Sequence, residues 1–209
     1  MESIKVNDMA GTTQLDAVNT MLSAIGEAPV SSLSSGLIDA ETAEQILDNV
    51  SRSLQDQGHP FNIETDYKIA PDSNGEIVLP LEFIKADLAA SQTQYRSNQH
   101  EYVLRGRKMY DTVEHTYAIN EELSLDVVVL LDFELLPESA RRYIAIKAAR
   151  MFQERILGSE TLSSFQRNDE LQAHTDFANA MGELGDYNIY DSYDTGAITN
   201  RRMRYTNYN

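Results

Sequence analysis

The amino-acid sequence predicts an α+β fold in which antiparallel helices from both chain ends pack as a bundle, with a β-rich insert between them and an extended C-terminal tail. Three observations carry that expectation. Apolar residues recur at helical spacing over residues 1–60 and again over 137–185. Residues 61–136 change to short runs rich in β-branched and aromatic residues, broken by turn residues. Beyond Gly185 the chain is rich in Tyr, Asn and Asp with little aliphatic content, so it cannot bury a core of its own. The expected division is an N-terminal helical hairpin (1–60), a β-rich lobe (61–136), a second helical hairpin completing the helical domain (137–185) and an extended docking tail (186–209).

In the first segment Leu15, Val18, Leu22 and Ile25 share one helical face. Thr13 and Asp16 have the spacing of a capping box, and Gly26 supplies the stop. A Ser/Gly stretch follows. Asp39 is then expected to cap a second helix, with Ala43, Ile46, Leu47, Val50 and Leu54 on one face and Gly58 and Pro60 at its end. His59, at that end, has the position of a ring that caps the last carbonyls.

Within the insert, Asn74-Gly75 between KIAP and EIVLPLEF is the strongest short hairpin signal. A second hairpin is expected around Arg105-Gly106 in YVLRGRKMYD. LSLDVVVLLDFELL is apolar through its middle, as in a strand covered on both faces. Pro137 is expected in the first turn of a third helix, with Glu138 favourably placed near its positive end. Tyr143, Ile144, Ala148, Phe152 and Ile156 form its apolar face before Gly158. A fourth helix is expected from about Ser159 to Leu184, with Leu162, Phe165, Phe177, Met181 and Leu184 as its apolar contacts.

Composition removes several classes of function. The 209 residues contain no cysteine, which excludes disulfide frameworks, thiolate metal sites and cysteine nucleophiles. No stretch reaches the ~18 apolar residues of a membrane span and the first residues lack an apolar leader, so a soluble chain without a signal peptide or membrane anchor is expected. Thirty-three acidic against 17 basic residues give a net charge of −16, which opposes sequence-specific binding to a polyanion. Such a surface suits either a solvated face or a wall past which DNA slides without sticking.

Catalytic and metal motifs are weak. The pairs Glu121 with Glu122 and Asp132 with Glu134 offer an acid and a base for glycoside hydrolysis, yet such pairs arise by chance among 33 carboxylates. No tryptophan is present to stack on a sugar. His59, His100, His115 and His174 lack the spacing that aligns two imidazoles on one helix face. Asp72 to Glu76 superficially matches a calcium loop, but a hairpin turn explains it more simply. No phosphate-cradling or serine-hydrolase motif occurs, so neither a cofactor nor a metal is expected.

The tail carries Tyr187, Tyr190 and Tyr193 at helix-like spacing, then Arg201, Arg202 and Arg204 just before Tyr205. Tyr and Arg are enriched at interfaces, because each combines contact area with directional hydrogen bonds. These seven residues are therefore candidates for partner binding, against the alternative of a loose terminus. Tyr143, Phe152, Phe165 and Phe177 are candidates for a subunit interface, against the alternative of an intramolecular bundle core.

LDAVNTMLSAIGEAPVSSL and AEQILDNVSRSLQDQGHPFN resemble the opening of the tail tubular protein A family of short-tailed bacteriophages (podoviruses). LRGRKMYD and LLDFELLPESARRYIAIKAARMFQERILGS resemble the same family in the same order, so the likeness covers roughly residues 13 to 185. It implies a structural, non-enzymatic virion protein without cofactors, made in the host bacterial cytoplasm and placed in the short tail at the portal vertex. It further implies a head-to-tail adaptor: a homo-oligomeric, dodecameric ring between portal protein and tail nozzle protein, through which genomic DNA passes during ejection. An alternative from another class is a tail-associated envelope-polysaccharide hydrolase using a carboxylate pair.

Overall fold

The computed structural model describes residues 11–93, 101–158 and 160–185, with side chains except at residues 93 and 160–166. Expectations placed on residues 186–209 and on the side chains of Leu162 and Phe165 therefore lie outside the described residues. The rest is α+β, as expected: helices from both ends of the chain pack on one another, and antiparallel strands lie between them in sequence.

α1 (Gln14–Ile25) begins at the expected capping box. The Asp16 amide donates to Thr13 Oγ1 at 3.1 Å, while the Thr13 amide donates to the Asp16 carboxylate at 3.1 Å. Those bonds hold the Asp16 carboxyl below the usual carboxylate range. Gly26 ends the helix at φ 86°, a conformation that a side chain would strain.

α2 (Ile38–Gln55) differs from expectation at its start, because Leu37 occupies the cap position and makes no side-chain capping bond. Asp39 lies one residue inside, where its charge favours the positive helix end without capping it. Ala43, Ile46, Leu47, Val50 and Leu54 are all buried.

α4 (Glu138–Leu157) and α5 (Glu160–Leu184) form the second hairpin. Pro137 sits one position earlier than expected, as the extended residue before the first turn of α4. Tyr143, Ile144, Ala148 and Phe152 are buried, whereas Ile156, in the last turn of α4, is exposed. Leu184, at the last turn of α5, is likewise exposed. α4 is the common partner, packing on α1, α2 and α5. Its sides thus close one helical core from Ala17, Met21 and Leu22 through Leu47 to Phe152 and Phe177.

The strands are β1 (Ile63–Ile69), β2 (Phe83–Leu88), β3 (Tyr102–Arg105), β4 (Lys108–Asp111) and β5 (Leu123–Val129), with a single turn of helix, α3 (Ala90–Thr93), after β2. β5 is central in the antiparallel order β1-β5-β2. Its two faces are covered unequally: Leu123, Leu125, Val127 and Val129 are buried while Ser124, Asp126 and Val128 are half-buried. The apolar run continues past the strand because Leu131, Phe133 and Leu136 turn back toward the helical core. β3 and β4 pair around Gly106 as expected, with Arg105 opposite Lys108.

The expected hairpin at Asn74-Gly75 is corrected in an instructive way. The turn forms, with Gly75 at φ 75° and the Asp72 carboxylate accepting from the amides of Asn74 (2.8 Å) and Glu76 (2.9 Å). The chain leaving it does not return along β1, whose inner edge is occupied by β5. Pro71 also removes a donor from the first arm. Ile77 and Leu79 instead bond to the backbone of Met109 and Arg107, filling a second core with Ile119, Leu125 and Val127.

Helices and strands meet at a buried polar joint. Gln55, the last residue of α2, is fully buried; its amide donates to the Leu131 carbonyl at 3.0 Å and accepts from the Leu131 amide at 2.8 Å. Asn62, also buried, donates to the carbonyls of Gln55 and Val129, each at 3.0 Å, and accepts from the His59 amide at 2.8 Å. His59 caps α2 as expected, its Nε2 lying 3.1 Å from the Leu54 carbonyl oxygen. Its ring packs against Phe61 and the edge of Phe177. Burial there lowers the His59 pKa, and the Leu54 contact acts in the opposite direction.

Truncating Gln55 to Ala leaves two Leu131 backbone groups unpaired inside the protein. The expected loss is about 2 to 4 kcal/mol in urea unfolding, and a loss within the scatter of surface substitutions would show that water replaces the amide. His59 gives a pH dependence of defined sign. Its folded pKa lies below its unfolded value of about 6.5, so its contribution is complete above that value and falls as pH drops toward the folded value. Unfolding free energy should decline more steeply between pH 6.5 and 5.5 in the native chain than in His59→Gln; parallel curves would assign the dependence to other groups.

Candidate docking surfaces

Tyr143, Phe152 and Phe177 are brought together, but inside the subunit. Phe152 is fully buried, Tyr143 and Phe177 nearly so, and the last two stack with ring centroids 5.7 Å apart. Their burial is therefore supplied by this chain's own helices. Any contact made by α4 and α5 with another molecule falls to residues left outside, such as Leu157, Leu171 and Leu184. Phe165, Tyr187, Tyr190, Tyr193, Arg201, Arg202, Arg204 and Tyr205 lie outside the described side chains.

The structure adds two apolar patches that helical periodicity alone did not single out. At the start of α2, Ile38 is 77% exposed beside the exposed Leu37. At the other end of the helix, Leu81 is 76% exposed on the loop before β2. Leu81 lines a cleft with Gln55 and Arg52 of α2. The patches are separated by the length of α2, roughly 25 Å at 1.5 Å per residue. An available signal was the apolar pair Leu37-Ile38 at the cap and first position of α2, beside the polar Asp39 and Glu41.

The cleft at the joint has a volume of about 590 Å³. Leu130, Leu131 and Phe133 supply apolar surface, while Glu44, Asp48, Glu82, Asp132 and Glu134 bring carboxylates around a single lining cation, Arg52. Gln14 links the two sides, its amide meeting Glu134 at 3.3 Å and its side chain meeting Asp48 at 3.2 Å. Burial raises the Asp48 carboxyl, against the opposing pull of Arg52. Asp132 and Glu134, one of the two carboxylate pairs, thus lie at the start and in the middle of a short turn (Phe133–Leu135) and line this cleft.

The other pair, Glu121 and Glu122, lies in an open groove with Asp66, Lys68 and Ser124. Glu121 accepts from the Tyr102 hydroxyl at 3.0 Å. Among the described residues, no group of three or more His, Asp or Glu side chains is placed to hold a metal ion. None of the described helices is long and apolar enough to cross a membrane.

The helical ends of the chain are also tied directly. Thr12 donates from its amide (2.9 Å) and hydroxyl (2.6 Å) to Glu138, and its carbonyl accepts from Arg141 at 3.0 Å. The start of α1 is thereby fixed at the start of α4.

Comparison with known proteins converges on one family. A family model described as tail tubular protein matches residues 15–187. The chain is also 27% identical over 158 residues to tail tubular protein A of Klebsiella phage KP34, a match covering 75% of this chain and 81% of that protein. Since the family match runs from the first turn of α1 past the end of α5, and so takes in both helical hairpins and the strands between them, this chain belongs to the tail tubular protein family.

Proposed function

We propose that this structural phage tail protein assembles as a closed homo-oligomeric ring, a dodecamer, that adapts the portal protein to the tail nozzle protein and lines the channel for genomic DNA. The observation that carries the reading is the pair of apolar patches at opposite ends of α2, Leu37-Ile38 and Leu81. A ring built from head-to-tail contacts needs two different patches on every copy, and it closes when the rotation between neighbours divides the circle. Large apolar side chains held in water at two separated places supply such a pair.

The charge supports the second half of the reading. A net charge of −16 disfavours the counterion-releasing contacts that would retain DNA, which suits a wall that a genome slides past. The C-terminal segment, with Tyr187, Tyr190, Tyr193, Arg201, Arg202, Arg204 and Tyr205, is assigned to docking on an acidic partner surface. In this reading the protein acts through contacts and not through catalysis, is made in the host cytoplasm, and resides in the virion at the portal vertex.

Light scattering of the purified chain, with and without the portal protein, should give a ring mass or portal-dependent assembly. Ile38→Asp combined with Leu81→Asp should reduce that assembly at least tenfold while circular dichroism stays unchanged. A strict monomer that never engages the portal would overturn the adaptor reading. Replacing Arg201, Arg202 and Arg204 with Ala should lower the yield of tailed particles, and normal yields would remove the tail from the docking surface.

A further inference from the structure

α5 runs antiparallel to α4. Glu170 pairs with Arg150, and seven residues later Phe177 stacks on Tyr143, seven residues earlier on α4. Extending that relation brings Leu184 level with Leu136 and Pro137 at the start of α4. The chain beyond Gly185 therefore departs from the end of the bundle where Asp132, Phe133 and Glu134 line the joint cleft. Arg201 is sixteen residues past Gly185, a span of up to ~50 Å when extended.

The cleft is suited to what that segment carries. Glu44, Glu82 and Asp132 have no ion-pair partner among the described residues, and they surround apolar surface from Leu130, Leu131 and Phe133. Leu81 stands exposed at the rim. In a chain of net charge −16, the last nine residues, RRMRYTNYN, hold three arginines and no acid, with Met203 and Tyr205 interspersed. Guanidinium groups pair with carboxylates in directed geometry, and the Met and Tyr side chains match the apolar part.

We propose that residues 201–205 occupy the cleft between α2 and the Leu130–Glu134 segment of their own subunit before assembly, the arginines meeting its carboxylates and Met203 and Tyr205 covering Leu81 and the half-buried Leu130. The occupied cleft needs no partner, so this contact goes beyond the ring reading and does not depend on it.

The absence of cysteine makes the test direct. In full-length Leu81→Cys/Met203→Cys, mild oxidation at low micromolar concentration should close more than half of the chains as disulfide-linked monomers. Trapping should fall at least fivefold in 1 M salt, where the screening length is about 3 Å, and to a similar degree when Arg201, Arg202 and Arg204 are also Ala. Ser35→Cys/Met203→Cys, with its first thiol at the far end of α2, should trap little. Equal trapping in the two pairs, or none in either, overturns the proposal. Disulfide-linked dimers also overturn it, by assigning the segment to a second copy. As a check without thiols, amide exchange at residues 130–134 should be at least threefold slower in the native chain than in the triple arginine variant; identical exchange counts against the contact.

Discussion

Gln55 and Asn62 hold the two halves of this protein in register. An unpaired buried amide or carbonyl costs as much as a lost hydrogen bond, so the two side chains can stay inside only if their partners stay in place. Those partners are backbone groups of Leu131, Val129 and Gln55 itself, contributed by the end of β5 and the end of α2. Apolar packing alone would tolerate a small rotation between the helical core and the sheet. Directed bonds at each side of the joint do not, and the position of the acidic cleft follows from them.

Much of the helical part was legible in the sequence because its signals are local. The Thr13–Asp16 capping box, the Gly26 stop and the apolar faces of α2 and α4 each lie within a few turns of chain, and each appears as read except that Ile156, near the end of α4, is exposed. The errors occur where distant residues decide the outcome. Asn74-Gly75 encodes a turn, but which strand its arms join depends on β5, some fifty residues later, having taken the edge of β1. LSLDVVVLLDFELL reads in isolation as a strand covered on both faces, yet its first half serves the sheet and its second half the helical core.

The candidate surfaces were less legible for a related reason. Tyr143, Phe152 and Phe177 carry the same apolar signal whether they meet another subunit or another helix of their own, and only the three-dimensional neighbours distinguish the two. Leu81 stands out only once its exposure is known, since Leu79, two positions earlier, is buried. The acidic cleft draws its carboxylates from α2, from the loop before β2 and from the segment before α4, so no contiguous motif announces it.

The tie between Thr12 and the Glu138–Arg141 pair sets an order of events during synthesis. α1 and α2 emerge from the ribosome first, but the helix that covers their apolar faces is complete only roughly 100 residues later, a delay of about 5 to 20 s at ~5–20 residues per second. For that interval the hairpin has no lasting partner of its own, so a chaperone that shields apolar helices has its longest opportunity there. A nascent subunit thus becomes competent for its final contacts only once α4 has been made, which separates completion of the helical core from encounter with other copies.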